Sequence, residues 1–143
     1  YNQTAVLEDG RLPLCRNAHQ CGCGAEQMLR NVAELVHGMP GVQCVGISTA
    51  GEVEPQTGRI RFACNIPGYT GMNPKTLLEQ QLGLPVAVEN DVNAAAMGEY
   101  AFGAAKGKRD FVMLTFGTGI GGAALQAGSC TGAAWAAPGN LAA

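Results

Sequence analysis

Residues 85–99 read Pro85-Val86-Ala87-Val88-Glu89-Asn90-Asp91-Val92-Asn93-Ala94-Ala95-Ala96-Met97-Gly98-Glu99. Two periods meet inside this stretch. Pro85 to Val88 is a short apolar run, too brief for a helix and bounded by polar residues, which predicts a buried strand. From Asn93 to Tyr100 the alanine-rich sequence favours helix, since alanine sacrifices no side-chain entropy there. A strand feeding directly into a helix implies α/β layering. Between them stand Glu89, Asn90 and Asp91, and polar residues at the carboxyl end of a strand in an open α/β sheet lie where ligands bind. Asp91 has two readings, which are compatible with each other. It can accept a proton from a substrate hydroxyl while Asn90 and Asn93 orient neighbouring groups, or it can cap the helix that follows.

Upstream, the pattern repeats. Ala25, Met28, Leu29, Val32, Ala33 and Val36 mark one face of a helix that Gly38 and Pro40 end. Val42 to Ile47 predicts a buried strand, Glu54 to Gly58 a turn, and Arg59 to Ala63 another strand. Asn65 to Tyr69 is an irregular loop punctuated by Pro67 and Gly68. Asn73-Pro74 opens a helix through Leu82 that Gly83 terminates. Thr4 to Leu14 reads as two short strands around Glu8-Asp9-Gly10.

Downstream, Asp110 to Phe116 predicts a strand that runs into Gly117-Thr118-Gly119-Ile120-Gly121-Gly122. The spacing satisfies G-x-G-x-x-G, but no Asp or Glu follows Asp110 to hold a ribose, so a dinucleotide fingerprint is excluded. What remains is a glycine-rich turn between strands, whose backbone N–H groups can approach a phosphate with help from Thr115 and Thr118, or which serves only tight packing.

The 143 residues carry nine basic and eleven acidic side chains, a formal net charge of −2, which lacks the footprint of a nucleic-acid binder. Lys106, Lys108 and Arg109 read as a solvated turn. No apolar run is long enough to span a membrane, and the N-terminus has no signal-peptide pattern, so a cytoplasmic location is expected. All charged residues lie at or before Asp110, and the last 33 residues have none. Cys44 and Cys64, set in strand-like runs, are expected to be buried. Cys21 and Cys23 form a C-x-C without the second ligand pair that a tetrahedral zinc site needs, so no metal ligands are assigned.

Four segments together resemble the ROK family of repressors, open reading frames and kinases. They are Val45 to Glu54, Asn65 to Tyr69, Pro85 to Glu99, and Phe116 to Gly122. The family includes ATP-dependent sugar kinases with an actin-like, ribonuclease-H-like fold, so the resemblance implies an α/β lobe with a mixed sheet and flanking helices. It implies phosphorylation of a hexose or N-acetylhexosamine at the 6-hydroxyl, with ATP and Mg²⁺ as cofactors and Asp91 as general base. It further implies Gly51, Asn65, Gly68 and Asn90, with Asp91, at the sugar, and Gly117, Thr118, Gly119 and Gly121 at the nucleotide phosphates. A homodimer is the family's common assembly. The alternative within the family is the sugar-sensing effector domain of a repressor, the one case in which nucleic acid would be a partner.

The family's Asp-x-Gly-Gly-Thr strand has no counterpart in these residues, nor do the sugar-binding Glu, the Gly-His pair and the zinc ligands that follow its second phosphate loop. The expected organisation is therefore an N-terminal sugar- and phosphate-binding lobe over residues 1–125, then an uncharged segment, 126–143, leading toward a second lobe outside this sequence. In that arrangement Phe111 to Leu125 forms a central strand, the phosphate loop and a following strand.

Overall fold

The computed structural model describes residues 4–5, 14–15, 24–116 and 120–136. Among the described residues, three helices and nine strands follow one another: β1 (Thr4–Ala5), β2 (Leu14–Cys15), α1 (Ala25–His37), β3 (Val45–Thr49), β4 (Glu52–Val53), β5 (Ile60–Phe62), α2 (Pro74–Leu82), β6 (Val86–Asn90), α3 (Asp91–Phe102), β7 (Phe111–Phe116), β8 (Ile120–Gln126) and β9 (Ser129–Ala136). The strands pair as β1 with β2, β3 with β6, β4 with β5, and β7-β8-β9. The chain divides into two compact units. The first comprises Tyr1–Ile47 and Val53–Val88, the second Ser48–Glu52 and Glu89–Ala143.

The first unit is built on large apolar side chains. On α1, Ala25, Met28, Leu29, Ala33 and Val36 are buried, the stripe that the spacing predicts. Of these, Ala25, Met28, Leu29 and Ala33 join Val53, Ile60, Tyr69, Leu78, Val86 and Val88 in one cluster, in which Ile60, Tyr69 and Leu78 have no exposed surface. Full burial of such a side chain contributes about 1.5–3 kcal/mol. Helix α2 has the expected bounds. Asn73 Oδ1 accepts the Thr76 N–H at 3.1 Å, Pro74 needs no donor partner at the first helical position, and Gly83 ends the helix at φ 65°.

The second unit rests on small residues. Ala96, Ala123 and Leu125 are its buried cluster, with Val92, Tyr100, Phe111, Met113 and Cys130 packed around them. Alanine on both partners lets α3 approach the sheet closely, and Tyr100 stacks on Phe111 with ring centroids 6.4 Å apart. Strands β7 and β8 pair antiparallel with Thr115 opposite Gly121, and β8 pairs antiparallel with β9. Ala127 and Gly128 join β8 to β9 with φ of 52° and 80°, and positive φ at both residues suits a two-residue hairpin. Asp110 Oδ1 holds this turn by accepting the Ala127 N–H at 2.9 Å.

Several expectations are corrected. The middle strand of the three-stranded sheet is β8, not the Phe111 strand. Strand β9 falls where only an uncharged segment was read, because Ala and Gly give no alternating hydrophobic signal. Strand β3 begins at Val45, three residues later than the apolar run, and β4 is a two-residue pairing too short to show a period. Cys44 precedes β3 and Cys64 follows β5, and both are exposed because each lies outside the ladder that would have buried it. Lys106, Lys108 and Arg109 are exposed and follow α3, as expected for a solvated turn. The Glu8-Asp9-Gly10 turn, Cys21 and Cys23 lie outside the described residues, though β1 and β2 do pair antiparallel. No helix among the described residues is long and apolar enough to cross a membrane.

Candidate active site

The corner where β6 becomes α3 is held by side chains rather than by loop length, since Asn90 ends the strand and Asp91 begins the helix. Asn90, with extended φ and ψ of −61° and 145°, is the N-cap. Its Oδ1 accepts the N–H groups of Val92 at 2.9 Å and Asn93 at 3.3 Å, while its Nδ2 donates to the Gly51 carbonyl at 2.8 Å. The cap is thus Asn90 and not Asp91. Strand pairing runs through Asn90 and leaves it the last residue with extended geometry, which is what a cap requires. Gly51 adopts φ 104°, a conformation that favours glycine, and this turns its carbonyl toward the Asn90 amide.

Asp91 is left free of capping duty. It is exposed at the first position of α3, and its Oδ1 accepts the adjacent Val92 N–H at 2.9 Å. An acidic side chain in the first turn complements the positive end of the helix dipole. Its exposed carboxylate can therefore meet a hydroxyl group from solvent or substrate.

The same corner meets the glycine hairpin within the second unit. A Cβ placed on Gly121 would stand 2.8 Å from Val92 Cγ2 and 2.8 Å from Thr115 Oγ1. No positive φ calls for glycine at Gly121; the close packing does. The strand leaving the hairpin lies against the side chain next to Asp91. Thr115 Oγ1 is 3.4 Å from the Gly121 carbonyl, a long contact that closes the hairpin's mouth weakly. Gly117, Thr118 and Gly119 are outside the described residues.

Gly51, Asn90, Asp91 and Gly121 are thereby gathered in one unit. Asn65 and Gly68 belong to the other. Both are exposed; Asn65 Oδ1 accepts from Cys64 Sγ at 3.3 Å, and Gly68 takes φ 77° with open space where a Cβ would be. The sequence marks Glu89 only as one of three polar residues at the strand end; its bonds to Asn90 and Asn93, and the contact between Val92 and Gly121, were not foreseen. Glu89 Oε1 accepts both the Asn90 N–H at 2.8 Å and Asn93 Nδ2 at 3.0 Å. The available signal was Asn93 itself, three residues after the cap, where a capping-box side chain reaches back.

Among the described residues, no three His, Cys, Asp or Glu side chains cluster to hold a metal ion. Helix α3 offers few N–H groups to an anion at its start, since Val92 and Asn93 already donate to Asn90.

Known proteins place this geometry in a family. A β-glucoside kinase of Listeria monocytogenes is 37% identical over 117 residues, which cover 82% of this chain and 40% of that protein. A glucokinase of Streptomyces coelicolor is 48% identical over 81 residues, covering 57% of this chain and 25% of that protein. The crystal structure of a ROK family glucokinase from Streptomyces griseus, in complex with glucose and AMPPNP, matches with a TM-score of 0.76 and 36% identity over 90% of this chain and 42% of that one. The chain therefore spans less than half the length of these relatives. Its fold is the α/β, actin-like fold of the ROK sugar kinases. The ROK family model matches residues 24–137, which include the Asn90–Asp91 corner and the glycine hairpin, and the chain belongs to the ROK family.

Proposed function

We propose that this chain carries the base and part of the phosphate-binding hairpin of an ATP-dependent sugar kinase, acting on the 6-hydroxyl of a hexose or N-acetylhexosamine. The observation that carries this reading is the meeting of two elements in one unit: the exposed Asp91 carboxylate at the start of α3, and the Gly121 backbone packed against the adjacent Val92. Relatives named as sugar kinases support it.

Phosphoryl transfer depends on an aligned hydroxyl, a proton acceptor within reach and positive or dipolar groups facing the transferred phosphoryl. Asp91 takes the proton of the 6-hydroxyl as that oxygen attacks. Asn90 has a second Nδ2 hydrogen beyond the one given to Gly51, and this donor, with the turn at Gly51, orients the sugar. For Asn65 and Gly68 a part in sugar binding follows from their motif. Gly117, Thr118, Gly119 and Gly121 offer backbone donors to the phosphates, in a segment without carboxylates. ATP is the phosphoryl donor and leaves as ADP; Mg²⁺ bound with the nucleotide would supply charge neutralisation at the transferred phosphoryl group. The site faces soluble substrates in the cytoplasm, and the protein acts as a homodimer.

A coupled assay of ADP release across glucose, other hexoses and N-acetylhexosamines, run beside calorimetric sugar binding, tests the proposal. The expected result is sugar-dependent turnover with at least one of them. Sugar binding with no turnover for any would replace the kinase with a sugar sensor.

A further inference from the structure

We propose that Glu89 and Asn93 are a positioning pair that fixes the start of α3, and with it the direction of the Asp91 carboxylate. This rests on the proposed role of Asp91 as base. An ordinary capping box uses a Glu or Gln three residues after the cap to reach back to the cap's own N–H. Here that position holds Asn93, whose side chain is one carbon shorter than Gln. Glu89, immediately before the cap, fills the gap. Its Oε1 accepts the Asn90 N–H at 2.8 Å and Asn93 Nδ2 at 3.0 Å, so one carboxylate oxygen ties the last strand residue to the first helical turn.

The orientation of Asn93 supports a directed role. Asn93 is 9% exposed, and among the described residues its Oδ1 is buried without a hydrogen-bond partner. Turning the amide over would set that oxygen against the Glu89 carboxylate, so the Glu89 bond dictates which way the amide points. Asp91 lies between the two anchored residues. The first is Asn90, held through its N–H by Glu89 and through its side chain by Gly51, Val92 and Asn93. The second is Asn93, held by Glu89. With both ends of this short span fixed, the Asp91 backbone has little freedom to rotate.

The test combines amide hydrogen exchange followed by NMR with kinetics, on wild-type protein and the Glu89→Gln, Glu89→Ala and Asp91→Asn variants. In wild type and Glu89→Gln, the Asn93 side-chain amide and the Asn90 N–H should be protected, because glutamine keeps an acceptor oxygen; in Glu89→Ala both should exchange freely. Glu89→Ala should lose about 10- to 100-fold in kcat with the sugar KM little changed, as expected when a reacting group is misplaced rather than removed. Glu89→Gln, whose neutral acceptor makes weaker bonds than a carboxylate, should return kcat to within about threefold of wild type. Free exchange at these amides in wild type, a Glu89→Ala rate equal to wild type, or a Glu89→Gln rate as low as that of Glu89→Ala would overturn the pair. A wild-type rate in Asp91→Asn would instead remove the base itself, and the positioning role with it, whatever the exchange data show about the hydrogen bonds.

Discussion

The two units of this chain use the same structural vocabulary for different ends. In the first, Met28, Leu29, Ile60, Tyr69 and Leu78 make a core of large side chains, and α2 is capped by Asn73, whose bond to Thr76 completes its task. In the second, the buried cluster is Ala96, Ala123 and Leu125, and α3 is capped by Asn90, which is simultaneously bound to Gly51 while Glu89 binds its N–H. Alternate residues of β7 stay exposed there, with Val112 at 68%, Leu114 at 58% and Phe116 at 75%. Apolar burial thus concentrates in the first unit, and the groups suited to chemistry gather in the second, where small residues let the helix start and the hairpin come together.

Core truncation should separate the two most strongly. Leu78→Ala removes a fully buried side chain and is expected to lose about 2–5 kcal/mol, read from the denaturant midpoint. Its remaining folded molecules should keep the wild-type KM for sugar. In the second unit, the sensitive direction is the opposite one. Gly121→Ala adds a methyl 2.8 Å from Val92 and Thr115 and should destabilise by about 1–3 kcal/mol while lowering kcat. Val92→Ala introduced with it should restore part of both, and no rescue would mean that Gly121 is there for another reason.

The matched caps provide a narrower contrast. Asn73→Ala and Asn90→Ala should each lose about 0.5–2 kcal/mol in unfolding experiments. Only Asn90→Ala should also slow turnover, so equal kinetic effects would dissolve the distinction between the two helices.

Smallest of all is a pH effect in the first unit. Glu54 has its carboxyl held below the ordinary 4.5 by hydrogen bonds from Thr57 and from Arg61, which is 3.0 Å away. A depressed carboxylate contributes stability above its unfolded pKa, and this is lost as pH falls through the lower folded value. Glu54→Gln should flatten that part of the acid limb of the stability profile. Because Glu54 is only partly buried and Arg61 is exposed, added salt should shrink the effect.

How far these features could be read in advance depended on whether the signal was local. Helix α2 announced both ends, because Asn73-Pro74 and Gly83 encode them in backbone conformation. Helix α1 followed from its apolar spacing, and the β6–α3 corner from the change of period at residues 85–99. The choice between Asn90 and Asp91 as cap was not legible: both residue types cap well, and strand pairing, a non-local event, decides where extended geometry stops. Strand β9 was equally hidden, since Ala133, Ala134 and Ala136 fit a helix or a strand and their state is set by pairing with β8. Within the candidate site, Asp91 and Asn90 stood out by type and place, whereas the bond from Asn93 to Glu89 and the close approach of Gly121 to Val92 exist only once the chain has folded.

The most direct measurement is kcat of Asp91→Asn beside its sugar dissociation constant, on protein shown by circular dichroism to be folded. If Asp91 is the base, kcat should fall by about 10²–10⁴-fold, the usual contribution of such a group, while sugar binding stays within severalfold of wild type. A folded Asp91→Asn protein that turns over sugar at the wild-type rate would contradict it.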